Sequence, residues 1–235
     1  MRFIDPDGMA IAGAEALINW AKSRGPFDDI FTVDQEGNTN LVKKTDDNFD
    51  VLQTKESWDS GRNGNPITVG MGVLESKKEI TTKSGVKYNI YTTTSEDKGQ
   101  SLFEFMAKNT KVEWSLTKAR NNSITGYLTT SHNHEMEVGA TELLDNPLIR
   151  ASVYLENDHS HPDGIWQPSS SSLPLKDPGR NQGDIGFTKY VKKLFPNSNP
   201  GFRVYNVTDG TYFQYNSQTV IPRSCPEVTV FGTKP

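Results

Sequence analysis

The 235 residues carry a formal net charge of -4 with an isoelectric point near 5.6, and their cations are scattered along the chain, which excludes the basic stripe of a nucleic-acid-binding surface. The length suits one sizeable core, or a compact domain with a smaller appendage. A single cysteine, Cys225, excludes an internal disulfide, and no apolar run approaches the length of a membrane span.

In chain order, "MRFIDPDG" reads as an extended, turn-forming lead-in to a helix over about Ala10–Ser23, ended by Arg24-Gly25-Pro26. Glu15 inside that helix, with Asp5 and Asp7 before it, distinguishes it from a signal peptide. The stretch 29–54 reads as short strands around the turn Glu36-Gly37-Asn38, and the polar, Gly/Asn-rich residues 57–70 as a linker or loop. A helix is expected at "SLFEFMAKN", with Ser101 and Glu104 at capping-box spacing and Leu102, Phe105 and Met106 on one face. "KVEWSL" alternates Val112, Trp114 and Leu116 against Lys111, Glu113 and Ser115, the pattern of a half-buried strand. Strands follow at "SITGYLTT" and over the longer "NPLIRASVYLEND". A Ser/Pro-rich loop over 162–183 leads to a helix opened by Asp184, with Phe187, Tyr190, Val191 and Leu194 on one face, and the tail forms two strands around Asp209-Gly210. Helix, strands, helix and strands in this order suggest an α/β layer fold.

The chain has four histidines, and two of them sit in "DHSHPDG" at the end of an apolar strand. Residues two apart on a strand share a face, so His159 and His161 can converge on one point while Ser160 turns away. A catalytic zinc takes three protein ligands and leaves one position open. Asp184 is the candidate third ligand, and reads equally as a plain N-cap. Glu113 is a candidate general base, and on pattern alone is a solvated strand glutamate. His-x-His by itself also fits a surface pair before a Pro-Asp-Gly turn, in which Asp163 bonds backbone. A second His-x-His, His132 and His134 in "SHNHE", lies in a polar stretch and reads as a solvated loop. Cys225, between prolines, reads as a packed thiol.

Taken together, Glu113 after a helix, "HSHP" at 159–162 and Asp184 opening a helix resemble the JAB/JAMM metallopeptidase motif, over about residues 99–195. The resemblance implies a JAB/MPN-like, cytidine-deaminase-like mixed sheet flanked by helices, here with an N-terminal β-rich extension. It implies one zinc ion held by His159, His161 and Asp184, with Glu113 as the general base for hydrolysis of a peptide or isopeptide bond. Two departures stand out: the loop from His161 to Asp184 is longer than the family pattern, and Asn181 replaces the serine three residues before the aspartate, which in the family stabilises the oxyanion. Asn181 can donate through its amide, and Ser169–Ser172 can fold back into the site; the loop fits a surface insertion equally.

"RFIDPDGMA" resembles the end of the core region of RHS-repeat polymorphic toxins. That implies a junction over 1–25 and an effector over 26–235, delivered to act in a target-cell cytoplasm, with a protein or peptide substrate, an RHS core and a cognate immunity protein as partners. The alternatives are a non-catalytic binding module of the same fold and a nuclease toxin built on "SHNHE", which lacks the basic surface.

Overall fold

The computed structural model describes residues 29–44, 49–62, 64–165, 167–169 and 183–219. The expected helix over 10–23, the junction, Asn181, Ser170–Ser172 and Cys225 lie outside the described residues.

Two mixed sheets enclose one long helix. The first sheet contains β1 (Asp29–Val33), β2 (Thr39–Lys43), β3 (Phe49–Thr54) and β4 (Ile67–Gly70) in the order β2-β1-β3-β4, with β1 and β3 parallel. All five residues of the central β1 are buried. Its turn into β2 depends on Gly37, whose φ is +79° and where a Cβ would stand 2.9 Å from Val112 Cγ2. Only glycine meets both conditions without strain.

The second sheet has seven strands: β5 (Lys78–Thr81), β6 (Lys87–Thr93), β7 (Ser115–Arg120), β8 (Ile124–Thr130), β9 (Val153–Ser160), β10 (Gly201–Asn206) and β11 (Thr211–Gln214). Their spatial order is β11-β10-β9-β7-β8-β6-β5, and β9/β10 is its parallel pair.

Helix α1 (Lys55–Ser60) and strand β4 replace the two ends of the loop expected over 57–70; Thr54 caps the helix N-terminus by accepting the Ser57 N–H, and Gly61 ends it in the left-handed region. The helix buries no residue, so its composition reads like that of a loop. Helix α2 (Glu96–Asn109) starts five residues before the expected capping box. Ser101 is therefore an exposed mid-helix residue, and Glu104 accepts a hydrogen bond from Tyr212 at 2.7 Å instead of capping the helix. The expected apolar face is buried: Leu102, Phe105 and Met106, joined by Phe103, pack with Phe31, Val33 and Leu52 of the first sheet and with Leu116 and Leu128 of the second. Truncating Phe103, which is fully buried, to alanine would cost about 3–5 kcal/mol.

Two further expectations change. The segment 147–152 is not strand: Asn146 caps α4 (Pro147–Arg150) with proline in its first turn, after α3 (Gly139–Leu143), and β9 begins only at Val153. Asn-Pro is a helix start here, and it masked the true strand boundary. Strand β7 likewise begins at Ser115; residues 111–114 are irregular, held by Lys111 N–H donating to the Gln35 carbonyl at 2.7 Å and Glu113 N–H to the Asn133 carbonyl at 2.9 Å. Helix α5 (Gly183–Leu194) forms as the sequence predicts and packs Ile185, Phe187 and Val191 with Tyr154, Phe202 and Val204 of the second sheet and with Tyr215, just after β11. Among the described residues, no helix is long and apolar enough to cross a membrane.

Candidate metal centre

Strand β9 determines the site by alternation. A bulge where β7 meets β9, between Lys118 and Ala119, shifts the register so that Tyr154 and Asn157, three apart, share a face. Both reach Thr117 Oγ1, at 3.4 and 3.0 Å. Beyond the bulge Asn157 and His159 face α5, whereas Glu156 and Asp158 face α2. Ser160 turns away from the histidines, as the sequence predicts, and its hydroxyl accepts the Trp114 N–H at 3.2 Å. His161 follows β9 on the histidine side, in a Pro-Asp-Gly turn where Asp163 accepts the Ile165 N–H at 3.2 Å.

Helix α5 brings Asp184 to the pair. Its Oδ2 lies 3.1 Å from His159 Nε2 and 3.5 Å from His161 Nε2, and the three donor atoms fall within 4.8 Å of one another. Donors on a tetrahedral zinc at roughly 2.0–2.1 Å stand about 3.3–3.4 Å apart, so these separations fit one ion. His159 Nε2 is buried and, although Asp184 Oδ2 stands 3.1 Å away, makes no hydrogen bond of good geometry among the described residues, so it is open to an ion. The opposite nitrogens are engaged: His161 Nδ1 meets the Ile165 carbonyl at 2.8 Å, and His159 Nδ1 meets the Tyr215 hydroxyl at 3.3 Å. A proton on Nδ1 bound to the carbonyl leaves Nε2, which faces Asp184, as the His161 nitrogen able to bind an ion.

Asp184 is itself oriented by a reciprocal pair of bonds. Ser169 N–H donates to Asp184 Oδ2 at 2.5 Å, and Asp184 N–H donates to Ser169 Oγ at 3.0 Å. Asp184 is thus both a carboxylate of the triad and part of a helix-start lock. Ser169 does fold back to the site, as the sequence allowed, and its work there is to hold Asp184.

Glu113 stands beside the triad. Burial, reinforced by the negative charges of Asp184, Glu137 and Asp163 and opposed by His161, pushes its carboxyl up to about 8. Burial opposes charging of His161, but its bond to Asp184 and the charges of Asp184 and Glu113 outweigh it and raise His161 to about 8. Burial likewise opposes ionisation of Asp184, and the two histidines overcome it and hold that carboxyl well below the usual range. These opposed shifts describe a tight acid–imidazole cluster of the kind found at functional sites.

"SHNHE" is elsewhere. His132, at φ +54°, places Nδ1 2.6 Å from the Glu36 carbonyl and Nε2 2.7 Å from Asn89 Nδ2, tying the first sheet's turn to β6 of the second. His132 is therefore a clamp and not a solvated loop residue, because both ring nitrogens are occupied by protein. His134 is exposed, as expected. The residues missed by the sequence reading are Tyr215 and Ile165, whose contacts with the histidines have no local sequence signal.

Residues 91–189 match the family model described as JAB-like toxin 1. The matched span contains Glu113, His159, His161 and Asp184, and supports a JAB-like toxin domain with the mixed α/β architecture described above. The first sheet lies outside that span. Comparison with curated proteins and with solved structures gave no match.

Proposed function

We propose that this chain is a toxin effector that hydrolyses a peptide or isopeptide bond with the help of a zinc ion held by His159, His161 and Asp184. The observation that carries the reading is the convergence of the three donor atoms, with His159 Nε2 left without a good hydrogen bond in a buried position. Bound there, zinc would polarise the scissile carbonyl and make a water more acidic.

The chain's own groups divide the remaining work. Glu113 takes a proton from the attacking water, whose oxygen bonds to the acyl carbon, and gives that proton to the nitrogen as the C–N bond breaks. A carboxyl raised to about 8 is a poor base at neutral pH; positive charge at the triad favours its ionised form, which couples the base to metal loading. The Ile165 carbonyl and Tyr215 fix the imidazoles, and Ser169 fixes Asp184. Asn181 is assigned the oxyanion role by motif position alone.

The same proposal makes 1–25 a junction to an RHS-type core and 26–235 the effector, with delivery to a target-cell cytoplasm and a cognate immunity protein as partner. The support is "RFIDPDGMA" together with the toxin-family match. The test is metal analysis of the purified chain beside growth inhibition on intracellular expression. One zinc per chain, lost with toxicity in Asp184→Ala, is the expected result; a metal-free chain that remains toxic would overturn it.

A further inference from the structure

A second group of acidic side chains is built on the first sheet, whereas the histidines are carried by the second. Asp29 and Asp50 are directly paired across the parallel strands β1 and β3, so their side chains stand side by side on one face. Both are buried, Asp50 to 1 % exposure. Glu75, exposed on the turn between β4 and β5, completes a set whose carboxylate oxygens lie within 4.8 Å of one another.

Like charges paired in a sheet are destabilising, and burial makes them more so. Asp50 receives a backbone hydrogen bond from Gly72 and its carboxyl stands within hydrogen-bond reach of the Glu75 carboxyl, yet no donor reaches its buried Oδ2 among the described residues. The charges acting on Asp50 come from Glu75 and Asp29, both negative. A buried carboxylate oxygen that no donor reaches, facing two further carboxylates, supplies the oxygen ligands a hard cation takes.

We infer that Asp29, Asp50 and Glu75 form a binding site for a divalent cation of the Ca²⁺ class, separate from the histidine centre and able to stabilise the first sheet. All-oxygen donors favour Ca²⁺ over zinc. Two ligands are fixed by strand register and the third rides on an exposed turn, an arrangement suited to the adjustable six-to-eight-oxygen shell of Ca²⁺, with water filling the remainder. Three carboxylates, one of them on an exposed turn, place the dissociation constant on the order of 10⁻⁴–10⁻³ M.

The test is thermal denaturation and calorimetric titration of the full chain with CaCl₂. In 10 mM Ca²⁺ the melting temperature should rise by a few degrees or roughly that. Glu75→Gln, at an exposed turn position that does not threaten folding, should weaken Ca²⁺ at least about tenfold, and Asp50→Asn should abolish the response. His159→Ala should leave it intact. A folded wild-type chain with no Ca²⁺ response would overturn the inference, as would a response that survives in both carboxylate variants or is lost in His159→Ala. If the carboxyls merely share a proton, Asp50→Asn would raise the melting temperature and Ca²⁺ would do nothing, which also overturns it.

Discussion

The two faces of β9 carry two polar clusters one residue apart, and they are built on opposite principles. On the face toward α2, Asp158 is fully buried and both its oxygens are used: Arg203 Nε and Nη2 donate at 2.7 Å each, and Gln100 Nε2 donates at 2.9 Å. Lys118 donates to Gln100 Oε1 at 2.8 Å and to Glu156 at 3.1 Å, and the Arg203 guanidinium stacks 4.4 Å from the Tyr212 ring. Donors and acceptors close on one another there. On the face toward α5, His159, His161 and Asp184 converge with a buried nitrogen lacking a good bond, and Glu113 beside them is pushed up to about 8. A buried cluster that satisfies itself holds a fold together; one that converges on a common point with a nitrogen still open is the kind for which the proposed ion accounts.

The largest effect that can break this contrast is chemical. Glu113→Gln keeps size and hydrogen-bonding capacity but cannot accept a proton, so hydrolysis should fall by about 10²–10⁴-fold with zinc retained. Turnover on candidate peptide and isopeptide substrates, measured with metal content, checks it. Full activity in the zinc-loaded variant removes Glu113 from the mechanism, and undiminished toxicity favours a binding module.

Next comes the closed face. Arg203→Met leaves Asp158 buried without its bidentate partner and should destabilise the chain by about 3 kcal/mol or more. Zinc stoichiometry in the folded fraction should not change, since Arg203 touches only the α2 side. Denaturant unfolding combined with metal analysis separates the two effects, and equal loss of zinc and stability would mean that the faces are not independent.

Tyr215→Phe acts on the open face without touching a proposed ligand atom. It removes the hydroxyl 3.3 Å from His159 Nδ1 and should weaken zinc about 10–100-fold with the fold retained. Competition with a chelator of known affinity gives the ratio, and unchanged affinity would reduce Tyr215 to packing.

What the sequence made legible follows the range of the contacts involved. His159 and His161 stand out by two-residue spacing at a strand end and Asp184 by its place at a helix start, local signals that each also fit a plain reading and gained their roles from the family resemblance. The role of Glu113 came from family resemblance; its position is irregular, fixed by hydrogen bonds to Asn133 and Thr130 that no periodicity encodes. Tyr215 reaches His159 only because β10 lies parallel to β9 and the chain returns through a hairpin, with Tyr215 N–H donating to the Phe202 carbonyl at 3.0 Å. Asp158 was hidden for a different reason: in "YLENDHSH" its charge sits in a strand read for its apolar residues, and its partner Arg203 is one strand away. The α2 boundary was missed because Ser101 and Glu104 satisfy a capping pattern inside a helix that already runs from Glu96.

The smallest expected effect concerns the other His-x-His, and it tests whether a histidine pair marks a site by spacing alone. His132 has both ring nitrogens committed to protein, bridging Glu36 in the first sheet's turn and Asn89 in β6. Replacing it removes two hydrogen bonds and leaves partners on both sides unpaired, a cost of about 1–2 kcal/mol. Asparagine is the informative substitute, because it tolerates the left-handed backbone at φ +54° and so isolates the lost clamp from backbone strain. His134 is exposed, and its change to alanine should stay within about 0.5 kcal/mol. Neither substitution should alter zinc content, singly or together, because the proposed ligands lie on β9, the turn after it and α5. Loss of zinc in the His132→Asn/His134→Ala double variant would transfer the metal site to this loop and leave the convergence of His159, His161 and Asp184 without a ligand to explain it.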